Sequence, residues 1–282
     1  MKKPGFKLSR RRFIGGVSLA AAGAFGYAHF FEAEWLEVCH VTVPLSNSTR
    51  SPLKLLHISD LHASAMVSLK FISRAIDVAL EFKPDLICVT GDFVTGTFDD
   101  PLQYTHILRR LSDAAPCFAV LGNHDGGAWA VEHGGYSDLA WVTGLLADSG
   151  ISLLHNDAKK FSARGWRLNV VGVGDAWAGP SDPIFAFQGA DATAATVLLS
   201  HNPDTKSKLL PHRWDLMLCG HTHGGQLRVP LIGTPFAPVE DMRYVAGLHR
   251  WNDRWMHITK GIGNVWGMRI NCRPEVSFLT LT

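Results

Sequence analysis

Paired cysteine is missing from this sequence. The five cysteines (Cys39, Cys88, Cys117, Cys219, Cys272) are scattered without a CxxC pair, and the odd count offers neither a disulfide framework nor a thiolate metal site. Three of them, Cys88, Cys117 and Cys219, lie in apolar runs, where free cysteine is a small core residue. Net charge is nearly absent as well: 27 Lys+Arg against 25 Asp+Glu leaves +2, far from the basic balance of a nucleic-acid-binding domain. That small excess is local. Six cations (Lys2, Lys3, Lys7, Arg10, Arg11, Arg12) crowd the first dozen residues, and the first acid is Glu32. Removing those six leaves 21 Lys+Arg against 25 Asp+Glu, so the body of the chain attracts no polyanion. There is no dinucleotide fingerprint either, because Gly172-x-Gly174-Asp175 is followed by no third glycine and helix. From residue 50 onward there is no low-complexity tract, long linker or internal repeat, which leaves one domain as the simpler reading. With 46% apolar and 18% charged residues, the chain is globular and long enough for a large core.

The first 28 residues read as an address. A basic stretch leads into Ser9-Arg10-Arg11-Arg12-Phe13-Ile14 and then a weakly apolar, Gly- and Ala-rich segment. Paired arginines before a Phe-Ile step resemble a bacterial twin-arginine signal, which implies the export machinery as partner and a periplasmic or outer-face location. The apolar segment is read as shorter than the roughly 20 residues of a spanning helix. Ala22-Gly23-Ala24 is a weak cleavage site, so the segment is expected either to be cut or to stay as a membrane anchor. Without a functional leader the protein would stay in the cytoplasm.

Short apolar runs, each ending in polar residues, predict buried strands at 53–58, 86–90, 118–121, 197–199 and 216–219. Helical spacing over 69–82 stops at Lys83-Pro84, and 105–111 and 139–149 are further helix candidates. The last part, 244–282, looks strand-rich, with 255–259 and 276–281 as its strands. Alternating strands and helices predict a layered α/β domain over 50–282, with sheets enclosed by helices.

Each of the five strands delivers a metal-capable side chain at its carboxyl end. In order these are Asp60-Leu61-His62, Gly91-Asp92, Gly122-Asn123-His124-Asp125, His201-Asn202-Pro203 and Gly220-His221-Thr222-His223-Gly224. Sites in α/β sheets form beyond the carboxyl ends of strands, so these turns should converge. The glycines before Asp92, Asn123 and His221 let the backbone turn sharply. A single Asp-x-His or His-x-His is common and says little. Five in order, each after an apolar run, make a strong joint signal.

These motifs resemble the five-motif signature of calcineurin-like metallophosphoesterases over the whole chain after the leader. Lys83-Pro84-Asp85-Leu86-Ile87, His201-Asn202-Pro203-Asp204, Cys219 to Leu227, Gly261-Ile262-Gly263 and Arg273-Pro274-Glu275 are further similar to the small bacterial phosphodiesterases of the YaeI/YkuE type. The resemblance implies a four-layer α/β/β/α sandwich with two mixed sheets. It also implies two divalent metal ions, one held by Asp60, His62 and His223, the other by Asn123, His201 and His221, with Asp92 bridging. His124 would contact the phosphate and protonate the leaving oxygen, with Asp125 as its orienting partner.

Charge counting agrees with that assignment. Two dications about 3.5–4 Å apart activate a bridging hydroxide and stabilise attacking and leaving oxygens. Two cations (+4) against Asp60, Asp92 and hydroxide (−3) leave a positive site suited to a singly charged diester. Imidazole and carboxylate ligands without thiolate suit manganese, with iron, zinc or magnesium as alternatives. The function expected is therefore metal-dependent hydrolysis of a small phosphodiester. The alternatives are a pyrophosphatase on a nucleotide-linked lipid such as UDP-diacylglucosamine, a phosphomonoesterase, or a non-catalytic metal-binding scaffold, the last disfavoured by the intact ligand set. His57 is read as a buried strand histidine, and His155, His212, His249 and His257 as structural. Asp175, Trp177, Trp266, Met268 and Arg269 are either pocket-lining or ordinary loop and core residues.

Overall fold

The structure is a computed structural model that describes residues 9–45 and 51–282; Lys2, Lys3 and Lys7 of the leader lie outside the described residues. A helix, α1 (Arg10–Phe30), opens the described chain, capped by the Ser9 hydroxyl, which accepts the Arg12 N–H. At 1.5 Å per residue its 21 residues span about 31 Å. It is long and apolar enough to cross a membrane, which corrects the expectation of a segment too short to span. The reason is that Gly23 and Gly26 do not interrupt it: uncharged residues continue from Phe13 to Phe31.

Two six-stranded mixed sheets follow. The first runs, in spatial order, β1 (Glu37–Val43), β12 (Glu275–Leu281), β2 (Leu53–Ile58), β3 (Leu86–Thr90), β4 (Cys117–Val120) and β5 (Ser152–Leu153). The second runs β10 (Gly247–Trp251), β11 (Arg254–Ile258), β9 (Leu216–Cys219), β8 (Ala195–Leu199), β7 (Trp166–Gly172) and β6 (Asp157–Ala163). The central strands β2, β3, β4, β8 and β9 pair in parallel and are almost wholly buried, as continuous apolar strands covered on both faces should be. They coincide with the predicted runs to within two residues. Five strands have no predicted counterpart: β1, the two-residue β5, β6, β7 and β10. β1 alternates half-buried with exposed residues at a sheet edge, and β6 carries Lys159 and Lys160 facing outward, so neither shows a long apolar run. Because β1 pairs in parallel with β12 from Glu37 to Val43, the sheet begins ahead of residue 50, where the domain was expected to start.

Between the sheets, Leu55, Leu86, Cys88 and Val120 from one inner face meet Leu168, Val197, Leu199 and Leu218 from the other. The outer face of the first sheet is covered by α2 (Leu69–Leu80), α3 (Pro101–Ala114) and α5 (Ala140–Asp148), through Ile72, Ile76, Leu108 and Leu146. Ser68 and Asp100 cap the first two, and α2 ends before Lys83, whose φ of 50° precedes Pro84. The second sheet has a thinner outer cover: α6 (Pro183–Phe187) and loops carrying Leu209, Trp214 and Tyr244. The expected α/β/β/α layering holds.

His57 and His257 meet between the sheets as a structural pair, as read from the sequence. Their Nδ1 atoms lie 2.9 Å apart and His57 Nε2 lies 2.9 Å from Thr90 Oγ1, so at least one of the two rings must be neutral to accept the shared hydrogen. Burial drives the His257 pKa down to about 4 from its ordinary 6.5, and His57 also well below it. An unfolded chain takes up these protons below pH 6.5 and the folded chain does not, so stability falls as pH drops from about 6.5 towards 4. A pKa shift of this size in one ring corresponds to about 2 kcal/mol lost between pH 7 and 5. The double variant His57→Leu, His257→Leu should show a shallower decline of thermal midpoint over that pH range; an unchanged slope would refute the assignment.

Candidate metal centre

Beyond the carboxyl ends of β2, β3, β4, β8 and β9, the chain turns back on itself within one or two residues. Five of the seven expected ligands sit in the left-handed region: Asp60 (φ 53°), His62 (48°), Asp92 (55°), His221 (69°) and His223 (50°). Each such non-glycine residue costs on the order of 1–3 kcal/mol and persists only where its surroundings fix it. Gly122 and Gly220 permit the crowding. A Cβ on Gly122 would overlap the Asp92 carboxylate, and one on Gly220 would overlap Ser59 and the Asp60 carboxylate.

The resulting side chains converge into two groups able to hold metal ions: Asp60, His62, Asp92 and His223, and Asp92, His201 and His221. Asp92 belongs to both. His62 Nε2 lies 3.0 Å from His223 Nε2, 3.7 Å from Asp60 Oδ1 and 3.5 Å from Asp92 Oδ2. On the other side, His201 Nε2 lies 3.2 Å from Asp92 Oδ2 and 3.1 Å from His221 Nδ1. The outward nitrogens of two rings are tied down: His62 Nδ1 lies 2.6 Å from Thr95 Oγ1, and His201 Nδ1 2.7 Å from the Thr90 carbonyl. Such outer contacts fix tautomer and ring orientation at metal sites. Of the buried side-chain atoms without a hydrogen-bond partner among the described residues, two belong to expected ligands, Asn123 Oδ1 and His221 Nε2. An orphaned carbonyl oxygen and imidazole nitrogen beside two buried carboxylates are donors that divalent cations fit.

Electrostatics follow from this crowding. Burial opposes the charge on Asp92, but the imidazoles of His201 and His124 outweigh it and hold its pKa well below the usual carboxylate value. Asp60 is lowered too, with His223 and His62 overcoming burial. Burial and the neighbouring His201 lower His221 to about 4, leaving a neutral ring with a lone pair to donate. His124 projects into the cleft, its ring 4.7 Å from that of His62 and 4.4 Å from that of Trp129, and burial lowers it to about 3.

One sequence expectation needs correction. Asp125 does not orient His124. Its carboxylate accepts the main-chain N–H groups of Asp92 (2.9 Å), Phe93 (2.6 Å), Val94 (3.4 Å) and Gly122 (2.8 Å). It therefore clamps the turn that carries Asp92 to the turn that carries Asn123, with burial and the Asp92 charge pushing its pKa up to about 7. The nearest polar tie of His124 is its own N–H, donated to Asp92 Oδ1 at 2.9 Å. Arg269 plays a similar part on the opposite side: fully buried, it donates to the carbonyls of His223, Lys260, Gly261, Gly263 and Cys272, so it positions a loop and is not among the residues lining the cleft. Asp175 caps its own loop by accepting the Trp177 N–H.

Above the convergent side chains lies a cleft of about 440 Å³. Trp177 and Trp266 line it, together with three residues the sequence reading missed: Trp129 and His133 of α4 (Ala128–Glu132) and its C-terminal cap, and Phe236. Trp129 stacks on His133 at 3.8 Å between centroids, and Trp177 stands edge-on to His221 at 5.2 Å. Nothing in their local sequence separates these aromatics from core residues; only the turn at Gly126 and Gly127 places α4 over the site.

The profile of the calcineurin-like phosphoesterase family matches residues 53–225, the span that holds every residue of the two metal-capable groups. The chain belongs to this family. It is a metal-dependent phosphoester hydrolase. It is 42% identical to phosphodiesterase YaeI of Escherichia coli over 97% of this chain and 99% of that one. It is also 28% identical to the metallophosphoesterase YkuE of Bacillus subtilis over 98% of each chain. UDP-2,3-diacylglucosamine pyrophosphatase LpxG of Chlamydia trachomatis is 26% identical over 80% of this chain and 83% of its own.

The Asp125 clamp gives a discriminating test. Asp125→Ala strands buried N–H groups, each costing about 1–3 kcal/mol, so the melting temperature should fall by several degrees and manganese binding should weaken. Were Asp125 only an orienting partner for His124, turnover alone would drop and the melting curve would be unmoved.

Proposed function

We propose that this protein hydrolyses phosphodiesters at a centre of two divalent cations. Asp60, His62 and His223 would hold one cation, and Asn123, His201 and His221 the other, with Asp92 shared. The observation that carries the reading is that shared carboxylate, set between two groups of donors that are complete only when both sheets contribute. When bound, two such cations supply an activated water and neutralise charge on phosphoryl oxygens. Manganese suits the donor set best, with iron, zinc or magnesium as alternatives.

The chain's own residues supply the rest. His124, neutral and free to turn its N–H into the cleft, would bind a phosphoryl or leaving-group oxygen, and the negative charge arriving there favours its protonated form. Asp125 and Arg269 hold the turns that carry Asp92 and His223. The aromatic walls exclude water and offer flat apolar surface to organic substituents on either side of a phosphate. That lining supports a diester over a phosphomonoester, as does the name of the YaeI relative.

A second reading, hydrolysis of a pyrophosphate within a nucleotide-linked lipid such as UDP-diacylglucosamine, draws on the same apolar walls and on the LpxG relative. The complete donor set disfavours a non-catalytic scaffold. For location, we read α1 as a membrane anchor delivered by twin-arginine export, the catalytic body standing on the outer face; its apolar length supports this.

After chelation and return of manganese, bis(p-nitrophenyl) phosphate should be cleaved faster than p-nitrophenyl phosphate; the reverse order would defeat the diester reading. Asp92→Ala should lower bound metal per chain by elemental analysis and abolish turnover. His124→Ala should keep its metal and lose about a hundredfold in kcat, the scale of a removed general acid.

A further inference from the structure

The cleft opens beside an apolar rim that the catalytic reading leaves without a role. Residues 229–233 form a tight turn, Val229 and Gly233 each donating an N–H to the other's carbonyl at 2.8 Å, with Leu231 in the left-handed region at φ 68°. At its tip Leu231 is fully exposed and Ile232 is 74% exposed. Just beyond, Phe236 (60% exposed) lies 6.5 Å from Trp266 (53% exposed), and both line the mouth of the cleft. From Leu227 to Val239 the only charged residue is Arg228, at the base of the turn. Single exposed apolar side chains are ordinary, but a cluster of this size marks an interaction surface.

What covers this rim follows from how it is fastened. The Arg228 N–H donates to the Ile270 carbonyl and Asn271 Nδ2 donates to the Arg228 carbonyl, tying the turn to the 264–272 loop. The next residue on that loop, Arg269, donates its N–H to the Ala28 carbonyl near the end of α1. Cys272 donates its N–H to the buried Glu32 carboxylate just after α1. Turn, Trp266 loop and the end of α1 thus share one hydrogen-bonded support. The last turn of α1 and the residues after it add exposed Phe30, Phe31 and Trp35 to the same support. A helix long and apolar enough to cross a bilayer enters the body where the cleft's rim is anchored.

The geometry points to a lipid bilayer as the partner of the 229–236 turn: Leu231 and Ile232 enter the membrane interface, Arg228 meets phosphate headgroups, and the mouth of the cleft is held against the membrane surface. Trp266 and Phe236 then sit at the depth that aromatic side chains favour. Resting on the proposed phosphodiesterase reading, this makes amphiphilic diesters presented at the membrane the preferred substrate class, entering between Phe236 and Trp266.

The test uses the full chain in vesicles of phosphatidylethanolamine and phosphatidylglycerol. Because Cys39 is half-buried and the other four thiols are buried, a Cys39→Ser background allows a nitroxide to be placed through Leu231→Cys, with Lys159→Cys on the edge strand β6 as control. The label at 231 should be reachable by oxygen and shielded from an aqueous nickel chelate, and the label at 159 the reverse. Equal aqueous exposure of both labels overturns the proposal, including the case in which a protein partner, absent from these vesicles, is the true occupant. Leu231 and Ile232 line no part of the cleft, so Leu231→Asp with Ile232→Asp should leave cleavage of bis(p-nitrophenyl) phosphate intact. Cleavage of a vesicle-embedded fluorescent diester should fall by about tenfold, since two apolar insertions are lost. Unchanged cleavage of both substrates overturns the link between docking and substrate. If the unmutated chain cleaves neither diester, the diesterase reading fails and with it the substrate class, while the depth of the 231 label still decides the docking.

Discussion

Two carboxylates, Asp60 and Asp92, are buried side by side among four imidazoles, and the rest of the structure accommodates that arrangement. A buried anion is tolerable only when opposite charge or hydrogen-bond donors compensate it. Here the compensation comes from His62, His223 and His201, and in the absence of other cations the His201 pKa is raised because Asp92, held close against it, outweighs its burial. A cation would meet the same demand better, because it replaces a shared proton with coordination to several donors at once. The left-handed turns at Asp60, His62, Asp92, His221 and His223 place these groups closer together than ordinary strand ends would. Asp125 and Arg269, both fully buried, hold the turns by hydrogen bonds to main-chain groups.

The centre belongs to neither sheet alone. Asp60, His62, Asp92 and Asn123 follow strands of the first sheet, while His201, His221 and His223 follow strands of the second. Each metal-capable group draws on both sheets, so the packing between them sets the donor distances. The inner core of Leu55, Cys88, Val120, Val197 and Leu218 therefore bears on chemistry as well as stability, since close-packed interiors transmit small changes in spacing. The His57–His257 contact lies in that interlayer and links β2 of one sheet to β11 of the other.

Around this rigid floor the cleft is aromatic and partly exposed. Trp129 and His133 come from a helix of five residues and its C-terminal cap, between glycine turns, Trp177 from a loop capped by Asp175, and Phe236 and Trp266 from segments fastened near the end of α1. Donors are fixed by the sheets, whereas the walls are carried by loops. That division lets one centre serve different substrates by changing its walls, the usual way in which site chemistry is grafted onto a fold.

The convergence of metal-capable side chains and the layering were legible in the sequence because both have short-range signatures. Continuous apolar runs such as Leu86–Thr90 announce strands buried on both faces, and a polar triplet such as Asp60-Leu61-His62 at the end of such a run announces a site. Edge strands β1, β6 and β10 were not legible, since a strand covered on one side carries little apolar excess. The full length of α1 was missed because its glycines weakened the local signal. Only the tertiary structure decided that Asp125 grips the Asp92 turn in place of His124, that Arg269 is a buried clamp, and that Trp129, His133 and Phe236 face the cleft. Those roles depend on which main-chain groups or cavities lie across from a side chain, and that is set by contacts between residues far apart in the chain.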